Sequence, residues 1–170
     1  MDKLNLTKLQ VGALVTLRVF IGWHFLYEGI IKIMNPNWSA ASFLNESKGI
    51  FSWLFTWIAL NTGAMGIVDF VNQWLLTIIG TLLIAGLFSR ITAYSGMVLI
   101  MLYYVAAPPL IGYNYSMPTE GSYLIVNKNL IEAAALLILA VFPTGKYIGL
   151  DILLVGYKSR MDITHLTFDK

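Results

Sequence analysis

Residues 9–34 read LQVGALVTLRVFIGWHFLYEGIIKIM, and the rest of the chain is organised around them. The run is apolar enough for a bilayer, and at ~1.5 Å rise per residue it exceeds the ~30 Å of a hydrocarbon core. Yet Arg18, His24, Glu28 and Lys32 interrupt it. A charged group near the bilayer centre costs a few kcal/mol even on lenient insertion scales, so these side chains must face protein or a wet cavity. Helical spacing shows how. Arg18, Ile21, Phe25, Glu28 and Lys32 alternate by three and four, which places them on one stripe, with His24 one turn before Glu28. Gly22 and Gly29 lie beside the stripe, where a missing side chain lets a neighbouring helix or a ligand approach.

Composition agrees. Hydrophobic residues make up 58% of the 170 and charged ones only 12%, a balance foreign to a water-soluble globule and ordinary for a polytopic membrane protein. Length sets a single domain over 1–170. A net charge of +2 without a basic run argues against a nucleic-acid partner. Cysteine is absent, which removes disulfides, thiolate metal sites and CxxC redox chemistry. Two histidines without HExxH-type spacing give no metal site, and His165 in the tail carries no signal. A cleaved signal peptide is the competing reading of the N-terminus, with Lys3 and Lys8 ahead of the apolar run and Ser39-Ala40-Ala41 after it. The run is too long for that and is interrupted by ionisable groups, so the first helix is expected to persist.

Asn35-Pro36-Asn37 ends the first span, with Trp38 at the level of an interfacial anchor. The segment 50–60, IFSWLFTWIAL, reaches only ~16 Å as a helix. It is expected to lie in the interface or to be re-entrant, with Trp53 and Trp57 on one side. The run NTGAMG (61–66) reads as a breaker, with Asp69 and Asn72 just ahead of the next span. Further spans are expected at about 73–88, 91–107 and 124–142, the middle pair antiparallel across the tight Ser89-Arg90 turn. Gly80, Ala85 and Gly86 on one, with Ser95 and Gly96 on the other, supply small surfaces for that pair. A tyrosine-rich loop with Gly112, Pro118, Gly121 and Tyr123 precedes the last span, and Pro143-Thr144-Gly145 follows it. The expected fold is therefore an all-α integral membrane protein, a four-transmembrane-helix bundle with an extra helix in the first outer loop.

Lys3, Lys8, Arg90, Lys146, Lys158, Arg160 and Lys170 collect on one side of this bundle, against Lys48 and Lys128 on the other. The positive-inside rule then puts both termini in the cytoplasm and the longer loops outside, which is the periplasm if the source is Gram-negative; the expected location is the cytoplasmic (inner) membrane. Glu28, Lys32, Asn129 and Glu132, with Asp69 and Asn72, fall at the outer level. Arg18 lies deeper, and its partner must come from another helix, a backbone carbonyl, water or a ligand. Taken alone, Glu28 and Lys32 form an ordinary intrahelical ion pair at a membrane boundary. Taken together, Arg18, Glu28, Lys32, Asn129 and Glu132 are expected to converge in one pocket between the first and last spans, open toward the outer face, with His24 a further candidate for binding.

Arg18, Gly22, Gly29 and Lys32, then Gly80 with Gly86-Leu87-Phe88-Ser89-Arg90, then Asn129, Glu132 and Gly149-Leu150-Asp151, resemble the signature of the DoxX/DoxD family over nearly the whole chain. The outer loops fit a DoxD-like variant best. The resemblance implies a four-helix membrane protein, in some members the small subunit of a thiosulfate:quinone oxidoreductase that works with a separate DoxA-like subunit. On that reading the polar residues bind a quinone or relay its protons, Trp23, Phe25 and Tyr27 hold its tail, and lipid, a periplasmic partner and a homo-oligomer are the expected contacts. The competing reading is a non-catalytic membrane anchor or assembly module whose polar stripe locks its own bundle. A transporter ranks last, since four helices without inverted repeats give little purchase for alternating access.

Overall fold

The structure is a computed structural model that describes residues 6–110, 112–116 and 124–153. Lys3, Lys158, Arg160, His165 and Lys170, and the loop positions Pro118, Gly121 and Tyr123, lie outside the described residues. Every regular element described is helical. The order is α1 (Lys8–Met34), α2 (Ala41–Asn45), α3 (Ser52–Leu60), α4 (Thr62–Ala85), α5 (Ser89–Ala106) and α6 (Lys128–Val141), followed by a 3-10 turn at Thr144–Lys146.

Local chemistry sets most of the ends. Thr7 opens α1 with a reciprocal capping box: its hydroxyl accepts from the Gln10 amide, and the Gln10 side chain accepts from the Thr7 amide at 2.8 Å. Asn35 and Pro36 close it. Asn127 caps α6 by accepting from the Leu130 amide at 3.1 Å, so that helix starts at Lys128 and Leu124 to Val126 stay outside. The run 61–66 corrects the sequence expectation most. Asn61 accepts from the Ala64 amide and begins α4, eleven residues before the expected Gln73. Each glycine within a helix costs up to ~1 kcal/mol against alanine, but a cap and a long apolar run outweigh Gly63 and Gly66. Asp69 and Asn72 consequently stand on α4 rather than ahead of it.

Among the described residues two helices, α1 and α4, are long and apolar enough to cross a membrane. Their apolar runs are mostly uncovered: Phe20, Trp23, Tyr27, Ile31, Phe70, Trp74 and Ile78 are exposed. The core helix of a soluble domain would bury such side chains. At ~1.5 Å per residue, α5 reaches ~27 Å and α6 ~21 Å, so length and composition alone single out two of the four expected spans. Helix α3 buries none of its residues.

The four long helices pack in a ring, α1 on α4, α4 on α5, α5 on α6 and α6 back on α1. The α1–α4 contact is the closest, and glycine makes it so. A Cβ on Gly22 would stand 3.0 Å from the Gly80 carbonyl oxygen, and one on Gly29 would collide with Thr77. The small surface of Gly80 therefore serves α1, not α5 as the tight turn suggested. Gly96 on α5 does the expected work, facing Ile79 and Leu136. Phe25, Leu76, Ile79, Leu83, Ile100, Leu136 and Leu139 fill the middle.

Candidate functional site

Polar residues gather at two ends of the bundle. Arg18 belongs to the first. It is 3% exposed, donating through Nη1 to the Thr144 hydroxyl at 3.0 Å and through Nη2 to the Ile148 carbonyl at 2.8 Å. Its guanidinium lies against Gly86, whose φ of +65° ends α4 in the left-handed conformation. Asp151 completes this end. Helix α5 has no capping side chain of its own, and Phe88 before it sits at φ +48°. The Asp151 carboxylate caps it from across the chain, accepting from the Phe88 amide (2.7 Å), the Ser89 amide (3.1 Å) and the Ser89 hydroxyl (2.6 Å). Arg90 donates to the Ala140 carbonyl nearby, in the last turn of α6.

The second end holds a cavity of about 420 Å³. Every long helix contributes a polar side chain to it: His24, Glu28 and Lys32 from α1, Asn72 from α4, Tyr103 from α5, and Lys128, Asn129 and Glu132 from α6. Phe25, Leu76 and Ile100 form its apolar wall, and Trp38 to Phe43, leading into α2, cover it. That cover is tied down from α4, where Asp69 accepts from the Ala40 amide at 2.8 Å. Asp69 thus braces the cover and does not line the cavity.

Within the cavity, His24 Nδ1 and Glu132 Oε1 meet at 2.8 Å and join α1 to α6. When Nδ1 carries the proton and donates it to the carboxylate, Nε2 is the ring's remaining acceptor. The His24 side chain is 45% exposed against 12% for Glu132, so the carboxylate is the enclosed member and the imidazole the accessible one. Lys32 donates to the Glu28 carboxylate within one helical turn, the ordinary i, i+4 pair, and its ammonium also lies 5.5 Å from the centre of the Trp38 ring. Across the cavity, the Asn72 amide donates to the Tyr103 hydroxyl at 2.6 Å.

Of the six expected site residues, the structure brings five together: His24, Glu28, Lys32, Asn129 and Glu132. Arg18 stands apart. Ten residues of helix separate it from Glu28, ~15 Å along the axis, and its bonds run to the opposite end. Glu132 pairs with His24, not with Arg18. Trp23 and Tyr27, expected to grip a ligand tail, are 62% and 53% exposed on the outside of α1; only Phe25 reaches the cavity. Sequence reasoning missed Tyr103 and the cover from Trp38 to Phe43, since a tyrosine inside an apolar run carries no periodic signal. Asp151 was in view through the Gly149-Leu150-Asp151 triplet, but its capping of α5 is a long-range contact.

No protein-family model, curated protein or solved structure matches this chain.

Proposed function

We propose that this chain is a DoxX/DoxD-like protein that spans the cytoplasmic membrane four times, with its cavity toward the outer face, and serves as the membrane subunit of a quinone-linked oxidoreductase. A separate DoxA-like or other periplasmic subunit is assigned the oxidation of a sulfur compound such as thiosulfate. Two thiosulfate ions joined through a new S–S bond release two electrons, and a quinone that accepts these with two protons leaves as quinol. The observation that carries the reading is the His24–Glu132 pair at 2.8 Å in a mixed polar and apolar cavity. An accessible imidazole backed by an enclosed carboxylate is suited to pass a proton to or from a quinone oxygen. Phe25, Leu76 and Ile100 offer the ring an apolar bed.

The test is extraction of lipids from protein purified in mild detergent, followed by mass analysis. A near-stoichiometric quinone is expected from the native chain, and at least a tenfold smaller amount from His24→Ala of unchanged thermal stability. If native protein carries no quinone and takes none up when it is supplied, the anchor or assembly reading replaces this one. That second reading has its own support, because both hydrogen bonds of Arg18 are made inside the chain.

Orientation is tested separately. Ser116 lies exposed beyond the cavity end and Lys146 exposed at the Arg18 end. In intact cells a cysteine at Ser116 should react with an impermeant thiol reagent and one at Lys146 should react only after lysis. The reverse pattern would turn the cavity toward the cytoplasm.

A further inference from the structure

The ring of helices sets two seams against each other. His24 and Glu132 occupy the α1–α6 seam; Asn72 and Tyr103 occupy the α4–α5 seam across the cavity. The second pair is incomplete. With the Asn72 amide donating to the Tyr103 oxygen, the Tyr103 O–H has no acceptor among the described residues, and the buried Asn72 Oδ1 has no donor. With the amide turned over, Oδ1 accepts from Tyr103 and the Asn72 N–H groups are the ones left over. With the amide as placed, the unspent donor on this wall is the Tyr103 O–H; turned over, Tyr103 gives its proton to Asn72 and an Asn72 N–H is the unspent donor. Tyr103 is also held in place, since its ring meets Phe43 of the cover edge to face at 6.2 Å. A buried donor without a partner costs free energy that a ligand oxygen recovers.

We propose that Tyr103, with the Asn72 amide donating to its oxygen, donates its own proton to a ligand oxygen on the wall opposite His24, so that the cavity selects a ring bearing two oxygens on opposite sides, a 1,4-quinone or its quinol. Amphiphiles with one polar end satisfy only one wall. This inference rests on the quinone reading above and narrows it. Tyr103 contacts the ligand, and Asn72 is a positioning residue.

Two probes with the same tail separate the cases: decylubiquinone, with two carbonyls in its ring, and 4-decylbenzaldehyde, with a single carbonyl attached to its ring. Their affinities for the purified chain in detergent are measured by calorimetric titration. The native chain should prefer decylubiquinone by tenfold or more. Tyr103→Phe keeps the ring and its contact with Phe43; it should lose about tenfold in affinity for decylubiquinone, the factor a single well-made hydrogen bond sets, and leave the aldehyde unchanged. Asn72→Ala, with the hydroxyl present but unguided, should lose part of the same preference. A preference that survives Tyr103→Phe at unchanged thermal stability overturns the inference while quinone binding stands. Equal native affinities for the two probes do the same. A native chain that binds neither removes both the inference and the reading beneath it.

Discussion

Arg18→Ala should lower the apparent stability of the detergent-solubilised chain by about 3–5 kcal/mol, the scale of losing two hydrogen bonds from a buried charged donor at about 1.5–3 kcal/mol each. The variant loses both guanidinium bonds, to Thr144 and Ile148, and opens a void against Gly86. It also removes a cation whose field reaches Asp151, itself buried. Thermal unfolding followed by circular dichroism measures the effect. Arg18→Lys should restore only part of it, because an ammonium cannot reproduce the planar fork that reaches two acceptors. Double variants locate the partner. Arg18→Ala with Asp151→Asn should be non-additive, whereas Arg18→Ala with Glu132→Gln should add, the two sites sharing no contact. Additivity with Asp151 and coupling to Glu132 would contradict the two-ended arrangement. Quinone bound per folded molecule should not change in Arg18→Ala, which separates a residue that holds the bundle from one that holds a ligand.

Gly80→Ala should be nearly as damaging, although it adds a single carbon. That carbon would run into the α1 backbone, at Leu26 and at the Gly22 carbonyl oxygen 2.7 Å away, and backbone cannot rotate aside as a side chain can. The two helices must part, loosening the closest packing in the molecule. Overpacking of this kind costs about 1–3 kcal/mol, and more where nothing yields; about 3 kcal/mol corresponds to a fall of roughly 10 °C in a chain this size. Gly66→Ala on the same helix is the control. No atom lies within 4 Å of its would-be Cβ, so helix propensity alone acts, and that variant should hold or gain up to ~1 kcal/mol. A Gly80→Ala protein as stable as the native one would mean that α1 and α4 do not meet at Gly22 and Gly80.

The same two helices show what periodicity can reach. The buried stripe of α1 was readable because four ionisable groups in a 26-residue apolar run have one helical face to share. Arg18, Ile21 and Phe25 are indeed its buried members. The Glu28–Lys32 pair was readable for the same local reason, being a matter of i, i+4 spacing alone. Helix ends were less legible. NTGAMG contains two glycines and an asparagine, and turn residues are also capping residues; whether Asn61 stops a helix or starts one depends on how residues 62–85 pack against their neighbours.

Composition and spacing, then, were sufficient for an all-helical chain with membrane-capable segments, for which face of α1 turns inward, and for five of the side chains that meet in the cavity. These are properties of short separations along the chain, where helix geometry leaves one answer. Pairing across the chain was decided only by packing. That Arg18 bonds Thr144 and Ile148, that Asp151 caps α5, and that Glu132 takes His24 depend on which helices neighbour one another and at what height. Gly22 against Gly80 sets the depth of α1 on α4. With that depth set, ~15 Å of helix keeps Arg18 out of the cavity, and Tyr103, which carries no mark in the sequence, comes to line it.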